Sequence, residues 1–191
     1  MHNLKLCKMT IDLARQFYRG FDTDPALFMD MSQFRPYVYS EDWVEAHFRR
    51  QIDRNREYLA VMLEDAPVGE IILRDLDPKN RCCTLSIHLK NDSVKNRGYG
   101  TLAEILALEY AFNELGMETV YADAVHTNLR SRHVLEKVGF VETHTDETFR
   151  YYRCDRSNWQ RPELDSANAR LESPQTAERP QTAKSQSAPP G

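Results

Sequence analysis

An anion-binding turn is indicated by the run Lys95-Asn96-Arg97-Gly98-Tyr99-Gly100-Thr101. Glycine lets the backbone approach a ligand closely and adopt positive φ angles, and the first N–H groups of a helix attract negative charge. Lys95 and Arg97 add cationic side chains. The run therefore predicts a pyrophosphate site, with an ordinary glycine turn as the alternative. It is neither a P-loop, which needs Gly-Lys-Ser/Thr, nor a dinucleotide fingerprint, which needs a third glycine.

A second informative segment follows the next predicted strand. It runs from Asn128 to Phe140 and has the pattern Asn-x-x-Ser-x-x-Val-Leu-Glu-Lys-x-Gly-Phe. With the glycine turn and the amphipathic helix before it, this segment resembles the GNAT superfamily of N-acetyltransferases. Ser131 and Leu135 make it most similar to the branch that contains the ribosomal-protein N-terminal acetyltransferases.

The resemblance implies that acetyl-CoA is the cosubstrate. Its pantetheine arm would lie between two strands that splay apart, here Cys82–Leu89 and Thr119–Val125. The backbone of His88, Leu89 and Asn91 would bind the arm and polarise the thioester carbonyl. Asn128 would contact the arm from the other side, cap its own helix, or do both. The residues implied to hold the pyrophosphate are Lys95, Asn96, Arg97, Gly98, Tyr99, Gly100 and Thr101.

The resemblance also raises the question of which group protonates the departing thiolate. Many family members use a Tyr at the position of Leu135, which has no proton to give. The resemblance to the ribosomal-protein branch implies Ser131 instead, although a Ser in a first helical turn can simply bond backbone. Tyr151 and Tyr152 are further candidates, and water is another because a thiol leaves readily.

The general base is also absent from its usual place. Several relatives carry a Glu there, and this chain has Thr84. Further along the same strand face lies His88, whose imidazole titrates in the right range to accept a proton from an ammonium. We predict His88 as the base, with His126 and Glu70 as alternatives. Deprotonation of the amine by bulk water is the remaining possibility.

The predicted activity is acetyl-CoA-dependent acetylation of a primary amine, carried on a peptide or protein N-terminus or on a small molecule, by direct attack on the thioester. The alternative is a non-catalytic acyl-CoA-binding or regulatory domain, because Thr84 and Leu135 occupy the usual base and acid positions. No metal is expected, since the sequence shows no cluster of ligand residues. Acidic and aromatic side chains between the first two helices suit a protonated amine. They are Phe21, Asp22, Asp24, Phe28, Asp30, Phe34, Tyr37 and Tyr39.

The elements that position these residues predict an α/β fold. The resemblance implies a mixed, mostly antiparallel central sheet, with a splay between two strands and helices on both faces. Helices are predicted from Thr10 to about Phe21, after the cap Ser40, over Thr101–Leu115 and over Asn128–Val138. The predicted strands are Tyr58–Leu63, Val68–Leu73, Cys82–Leu89, Thr119–Val125, Phe140–Thr143 and Thr148–Cys154.

Composition limits the domain and its partners. The net charge of -4 argues against a nucleic-acid-binding face. The absence of a long apolar run or of a signal core argues against a membrane protein and for a cytoplasmic one. The four cysteines lack metal-type spacing and are expected to be small apolar residues in a reducing cytoplasm. A homodimer is compatible with the sequence. We expect one acetyltransferase domain over residues 1–159 and a disordered Pro/Ser/Gln/Ala-rich tail over residues 160–191, with a short helical stretch near Glu163–Leu171.

Overall fold

The structure is a computed structural model that describes residues 4–163 and 169–171. Its strands are β1 (Leu4–Lys8), β2 (Glu57–Leu63), β3 (Ala66–Asp77), β4 (Cys82–Leu89), β5 (Thr119–Val125), β6 (Val141–Thr145), β7 (Phe149–Asp155) and β8 (Ala169–Leu171). Its helices are α1 (Ile11–Tyr18), α2 (Glu41–Asp53), α3 (Tyr99–Glu109) and α4 (Leu129–Lys137). Between α1 and α2 lie the 3-10 turns Pro25–Leu27 and Met31–Gln33, and a π-helical turn, Tyr110–Glu114, follows α3.

The described strands form one sheet in the order β6-β7-β5-β4-β3-β2-β1-β8. Adjacent strands are antiparallel except for the pairs β4–β5 and β1–β8. The prediction of a mixed, mostly antiparallel central sheet is confirmed.

The splay between β4 and β5 is the feature that opens the sheet. The two strands pair from Cys82 with Thr119 to Leu85 with Ala122, and the pairing ends there. β4 continues to pair with β3 as far as Leu89. The backbone of β4 beyond Leu85 therefore diverges from β5 on one side while it stays anchored on the other.

Helices cover both faces of the sheet, as predicted. Because side chains alternate along a strand, Ile71 and Leu85 join the core under α3 and α4. Ile72 joins a second core with Phe17 of α1 and Val44 of α2. This alternation decides which strand residues can meet the first two helices and which can meet the last two.

Two predictions about the ends of the chain need correction. The predicted order began with a helix, but β1 precedes it and lies inside the sheet, with Leu4 and Leu6 fully buried. The alternation of leucine with polar residues is short, which is why it did not stand out. In the predicted tail, Ala169–Leu171 is a strand that pairs in parallel with β1 and not part of a helix. Residues 164–168 and 172–191 of that tail lie outside the described residues, and the domain boundary stays a prediction.

Other global features concern membranes, metals and thiols. Within residues 4–163 and 169–171, no helix has the length and apolar character needed to cross a bilayer. In the same part of the chain, no group of three or more His, Cys, Asp and Glu side chains is placed to hold a metal ion. Cys82, Cys83 and Cys154 are free thiols.

Candidate active site

The glycine turn ends at the start of α3. Gly98 occupies the N-cap position with a φ of 80°, and no side chain caps the helix. A Cβ at Gly98 would meet nothing within 4 Å, so its glycine is required by backbone conformation rather than by space. The first N–H groups of a helix lack intrahelical acceptors. An uncapped helix start beside an open turn suits an anionic group such as a pyrophosphate.

A cleft of about 370 Å³ opens over this turn. Its walls come from the turn, from the end of β4 and from α3 and α4. Most of the predicted cofactor residues line it: Leu89, Lys95, Asn96, Gly98, Gly100, Thr101 and Asn128. The turn, the uncapped helix and the splayed strands together fit the diphosphate and pantetheine parts of acetyl-CoA.

Three predicted cofactor residues do not line the cleft with their side chains. Arg97 is exposed, and Tyr99 is buried in the core under α3 and α4. The Asn91 amide donates to the carbonyl of Gly20 at 2.8 Å, and its oxygen accepts from Ser93. These side chains shape the loop, and a role for them in cofactor binding stays a prediction.

Lys95 lies in the cleft with its charge already paired. Its ammonium is 2.8 Å from Oδ2 of Asp24 and 3.1 Å from Oδ1 of Asp92. Arg130 approaches the same Asp24 oxygen at 3.2 Å. Burial would raise the pKa of Asp24, but the two cations and a backbone hydrogen bond lower it. An anion bound here would share both cations with this carboxylate.

Helix α4 adds basic side chains that the sequence analysis missed. Arg130, His133 and Lys137 all line the cleft. Their spacing of three and then four residues places them on one face of the helix. That spacing was the available signal, because Asn128 and Ser131 had already assigned the segment to the site.

A second cavity of about 150 Å³ lies between the splayed ends of β4 and β5. It extends to His88 on the far side and to Leu27 of the α1–α2 connection. Four residues line both this gap and the cofactor cleft, so they mark the junction where the two cavities meet. They are Ile87, Glu104, Asn128 and Ser131.

His88 is bound to a buried carboxylate on its neighbouring strand. Nδ1 of His88 is 3.0 Å from Oε1 of Glu70, which is only 2% exposed. Tyr18 donates to both Glu70 oxygens at 2.9 Å, and Tyr58 donates to Oε2 at 2.6 Å. Because Glu70 accepts from Nδ1–H, the neutral imidazole keeps its lone pair on Nε2. Two sequence candidates for the base thus form one unit.

Electrostatics in this unit favour the ion pair. Burial would raise the pKa of Glu70, yet His88 and the Tyr58 hydroxyl lower it. Burial would lower the pKa of His88, but the hydrogen bond and charge of Glu70 raise it. His88 keeps a 39% exposed side chain at the gap. The arrangement is that of a strengthened base whose orientation is set by a carboxylate.

The other predicted catalytic residues are dispersed. Ser131 lies at the junction, and its backbone N–H donates to Asn128 Oδ1 at 3.1 Å. Leu135 is buried in the core. His126 Nε2 binds the carbonyl of Asp146, which keeps it away from the Glu70–His88 pair. Thr84, Tyr151 and Tyr152 line a separate groove of about 470 Å³.

The α1–α2 connection forms an aromatic wall beside the base. Phe21 stands 6.5 Å from the His88 ring and 5.4 Å from Tyr37, and Trp43 of α2 packs 5.1 Å from Tyr18. Two of the three aspartates in this connection bind partners within the chain. Asp24 is paired in the cofactor cleft, and Asp30 accepts from the backbone and hydroxyl of Ser32.

Solved structures similar to this chain include acetyltransferases. Spermidine N-acetyltransferase from Vibrio cholerae in complex with CoA and spermine superposes with a TM-score of 0.68 at 18% identity, covering 81% of this chain and 96% of that one. A chimera of the Vibrio cholerae enzyme and hSSAT gives a TM-score of 0.67 at 18% identity, with the same coverage. A probable acetyltransferase gives 0.62 at 20% identity, covering 82% of this chain and 95% of that one. At these identities the likeness shows the fold. No curated protein matches the chain.

Residues 3–141 match the family described as acetyltransferase (GNAT) domain. This match confirms the predicted class, an enzyme that transfers an acetyl group from acetyl-CoA to an amine. The matched residues include the glycine turn, the splayed strands, the Glu70–His88 pair and α4. The chain belongs to the GNAT acetyltransferase family.

Proposed function

We propose that this enzyme acetylates a primary amine presented at the aromatic wall, with His88 as the general base and Glu70 as the residue that positions it. The hydrogen-bonded Glu70–His88 pair at the mouth of the gap is the observation that carries the proposal. Acetyl-CoA supplies the activated acetyl group. A domain that only binds acyl-CoA has no need for a buried carboxylate that strengthens an imidazole, so the pair favours catalysis over the regulatory alternative.

The acceptor amine arrives protonated and must lose a proton before it can attack. Aromatic faces attract a cationic amine. The Phe21 ring lies 6.5 Å from the His88 ring, and Tyr37 lies 5.4 Å from Phe21. Nε2 of neutral His88 accepts the proton, directly or through water. Glu70 stabilises the imidazolium that forms, and it holds the tautomer needed for the next cycle.

On the cofactor side, the turn and α4 would hold the donor. The uncapped start of α3 and the cations of α4 suit the phosphates. The free backbone of β4 beyond Leu85 suits the amides of the pantetheine arm by strand-like pairing. Asn128 and Ser131 lie at the junction, opposite the end of β4.

For the acceptor class, we favour the N-terminus of a peptide or protein over a polyamine. A polycation needs several unpaired carboxylates, whereas Asp24, Asp30 and Glu41 bind partners within the chain. Ser131 and Leu135 also support the proposed kinship with the ribosomal-protein branch. The Vibrio cholerae enzyme that was solved with spermine is the reason to include polyamines in the test.

The test is release of CoA thiol with a panel of acceptors at equal concentration. The panel contains peptides with free N-termini, the same peptides with blocked N-termini, spermidine, spermine and single amino acids. Faster turnover with free than with blocked peptides, and with peptides than with polyamines, supports the proposal. Preference for spermidine would overturn the acceptor class. Tight acetyl-CoA binding without turnover on any amine would favour the regulatory alternative.

We place the enzyme in the cytoplasm, because Cys82, Cys83 and Cys154 are free thiols. A homodimer stays part of the proposal, and it is supported by strand β6, which lies exposed at one edge of the sheet. A neighbouring structure of the Vibrio cholerae enzyme is dodecameric. Light scattering on the purified chain gives its mass in solution, and a monomeric mass at working concentrations would contradict the dimer.

A further inference from the structure

Glu104 is an ionisable residue in the apolar middle of α3. Its side chain is 2% exposed, and its neighbours from Leu102 to Leu108 are all buried. Its oxygen Oε2 is buried without a hydrogen-bond partner in the described part of the chain. Burying an unpaired carboxylate is costly, and native proteins satisfy almost all such groups. A residue of this kind needs a reason beyond packing.

The position of Glu104 suggests a functional reason for its burial. It lines both the cofactor cleft and the gap between the splayed strands, together with Ile87, Asn128 and Ser131. Helix α3 lies on the opposite face of the sheet from α1, against which the Glu70–His88 pair is built. A thioester at this junction would therefore have His88 on one side and Glu104 on the other.

The protonation state fits a donor. Burial raises the pKa of Glu104 to about 8. Its side chain is thus a neutral carboxylic acid at neutral pH, with a proton to give. Burial sets the direction of this shift, since no described cation pairs with Glu104. The basic side chains that line the same cleft are Lys95, Arg130, His133 and Lys137.

We propose that Glu104 is the proton donor to the departing thiolate of coenzyme A, a role that Leu135 cannot fill. This inference rests on the proposed function. The amine nitrogen bonds to the carbonyl carbon, the C–S bond breaks, and its electron pair leaves with sulfur. Glu104 gives its proton to that sulfur and becomes a carboxylate, while the amine proton goes to His88. Solvent then reprotonates Glu104 and deprotonates His88, which returns both groups to their starting states.

The principal variant is Glu104→Gln, which keeps the shape and a hydrogen-bond donor but has no acidic proton. We expect kcat to fall about 100-fold with a smaller change in the KM for acetyl-CoA. We also expect the wild-type loss of kcat above about pH 8 to disappear. The matched control is Glu109→Gln on the same helix, since Glu109 pairs with Arg161 and lines neither cavity. The proposal would be overturned if Glu104→Gln kept the wild-type kcat and still showed the alkaline limb, that is, the loss of kcat above about pH 8.

A readout independent of turnover is the infrared carbonyl band of a protonated carboxylic acid in the protein alone. We expect this band at pH 7, its loss as pH rises past about 8, and its absence from Glu104→Gln but not from Glu109→Gln. An ionised Glu104 at pH 7 would overturn the proposal even if no acceptor amine were found. If Glu104→Gln does not fold, Glu104→Leu takes its place and the wild-type band still decides.

Ser131 is the competing donor, and Ser131→Ala separates the two. We expect this variant to keep the alkaline limb at about pH 8, because Glu104 is intact. Loss of that limb in Ser131→Ala, with the limb unchanged in Glu104→Gln, would assign the proton to Ser131 and overturn the proposal.

Discussion

Nδ1 of His88 lies 3.0 Å from Oε1 of Glu70, and the two residues stand directly opposite each other on antiparallel strands β4 and β3. Sheet register therefore sets their separation, and no flexible loop intervenes. Tyr18 and Tyr58 donate hydrogen bonds to the Glu70 carboxylate from the core under α1 and α2. Burial raises the pKa of both tyrosines, so their hydroxyls remain donors. The Glu70–His88 pair is therefore held by side chains of α1 and β2 as well as by the register of β3 with β4.

The pH–rate profile of the wild type should have an acid limb above the ordinary imidazole value. A base must be neutral to act, and Glu70 raises the pKa of His88. Glu70→Gln removes the charge, so the limb of kcat/KM should move to lower pH. His88→Gln should lose roughly 100-fold in kcat and lose the limb. Steady-state kinetics between pH 5 and 9 with a good acceptor measure both effects, and an unmoved limb in Glu70→Gln would rule against the assignment.

Tyr58→Phe should destabilise the fold by about 1–3 kcal/mol, because it removes the shortest of the hydrogen bonds to the buried Glu70 carboxylate and leaves Tyr18 and His88 as its donors. The hydroxyl of Tyr58 binds Glu70 at 2.6 Å within the second core. The matched control is Tyr39→Phe, whose hydroxyl bonds Glu41 at an exposed site, and its cost should be well under 1 kcal/mol. Urea unfolding at pH 7 gives both values. Equal costs would mean that the buried hydrogen bond does not matter.

Gly98→Ala should weaken coenzyme A binding more than its effect on stability explains. Gly98 has a φ of 80°, and the control position Gly116 has a φ of 67°. A Cβ would meet no atom within 4 Å at either site, so each alanine costs only about 1–2 kcal/mol of backbone strain. Calorimetry with coenzyme A should show weaker binding for Gly98→Ala alone. A similar loss for Gly116→Ala would show that general destabilisation is responsible.

Asp24→Asn should tighten coenzyme A binding by about fivefold, because Lys95 and Arg130 are released from a competing carboxylate. The effect should shrink at high salt, since it is electrostatic. Asp30→Asn is the control, because Asp30 caps a turn and binds Ser32 and no cation among the described residues. Weaker binding in Asp24→Asn would show instead that the carboxylate positions the cleft.

Wild-type stability should fall as pH rises from about 4.5 to about 8 because of Glu104. In that window the unfolded chain is ionised at this residue while the folded chain keeps its proton. Each pH unit then costs up to about 1.4 kcal/mol. Glu104→Gln should remove this slope, whereas Glu109→Gln should keep it. Urea unfolding across the window measures the slope, and parallel curves for wild type and Glu104→Gln would contradict the assignment.

Local patterns in the sequence predicted most of the fold. The cap Ser40 acts through its own hydroxyl, and the glycines at 98 and 116 act through their positive φ angles. These signals are local, so α2, α3 and the start of the cofactor cleft could be found without tertiary information. The splay came from the family resemblance, and the register of β4 with β5 bears it out. Strand β1 was missed because two buried leucines are too short a pattern to separate a strand from a coil.

Pairings between distant residues were beyond a single sequence. Lys95 was assigned to the phosphates, but nothing local shows that Asp24 reaches it. Glu70 and His88 were treated as rival bases, because only the strand register makes them partners. Glu104 had a signal that was not used. It is a carboxylate in an apolar helical run, and its burial became evident only once α3 lay against the sheet.

The divergence of β4 from β5 leaves a gap in the sheet that connects its two faces. In the proposed function, the nucleotide would enter on the face covered by α3 and α4, and the amine would enter on the face covered by α1 and α2. Neither reactant has to leave before the other arrives, so kinetics should show a ternary complex with intersecting lines. The sequence of the α1–α2 connection could therefore change, and with it the choice of acceptor amine, without altering the residues that would bind the nucleotide.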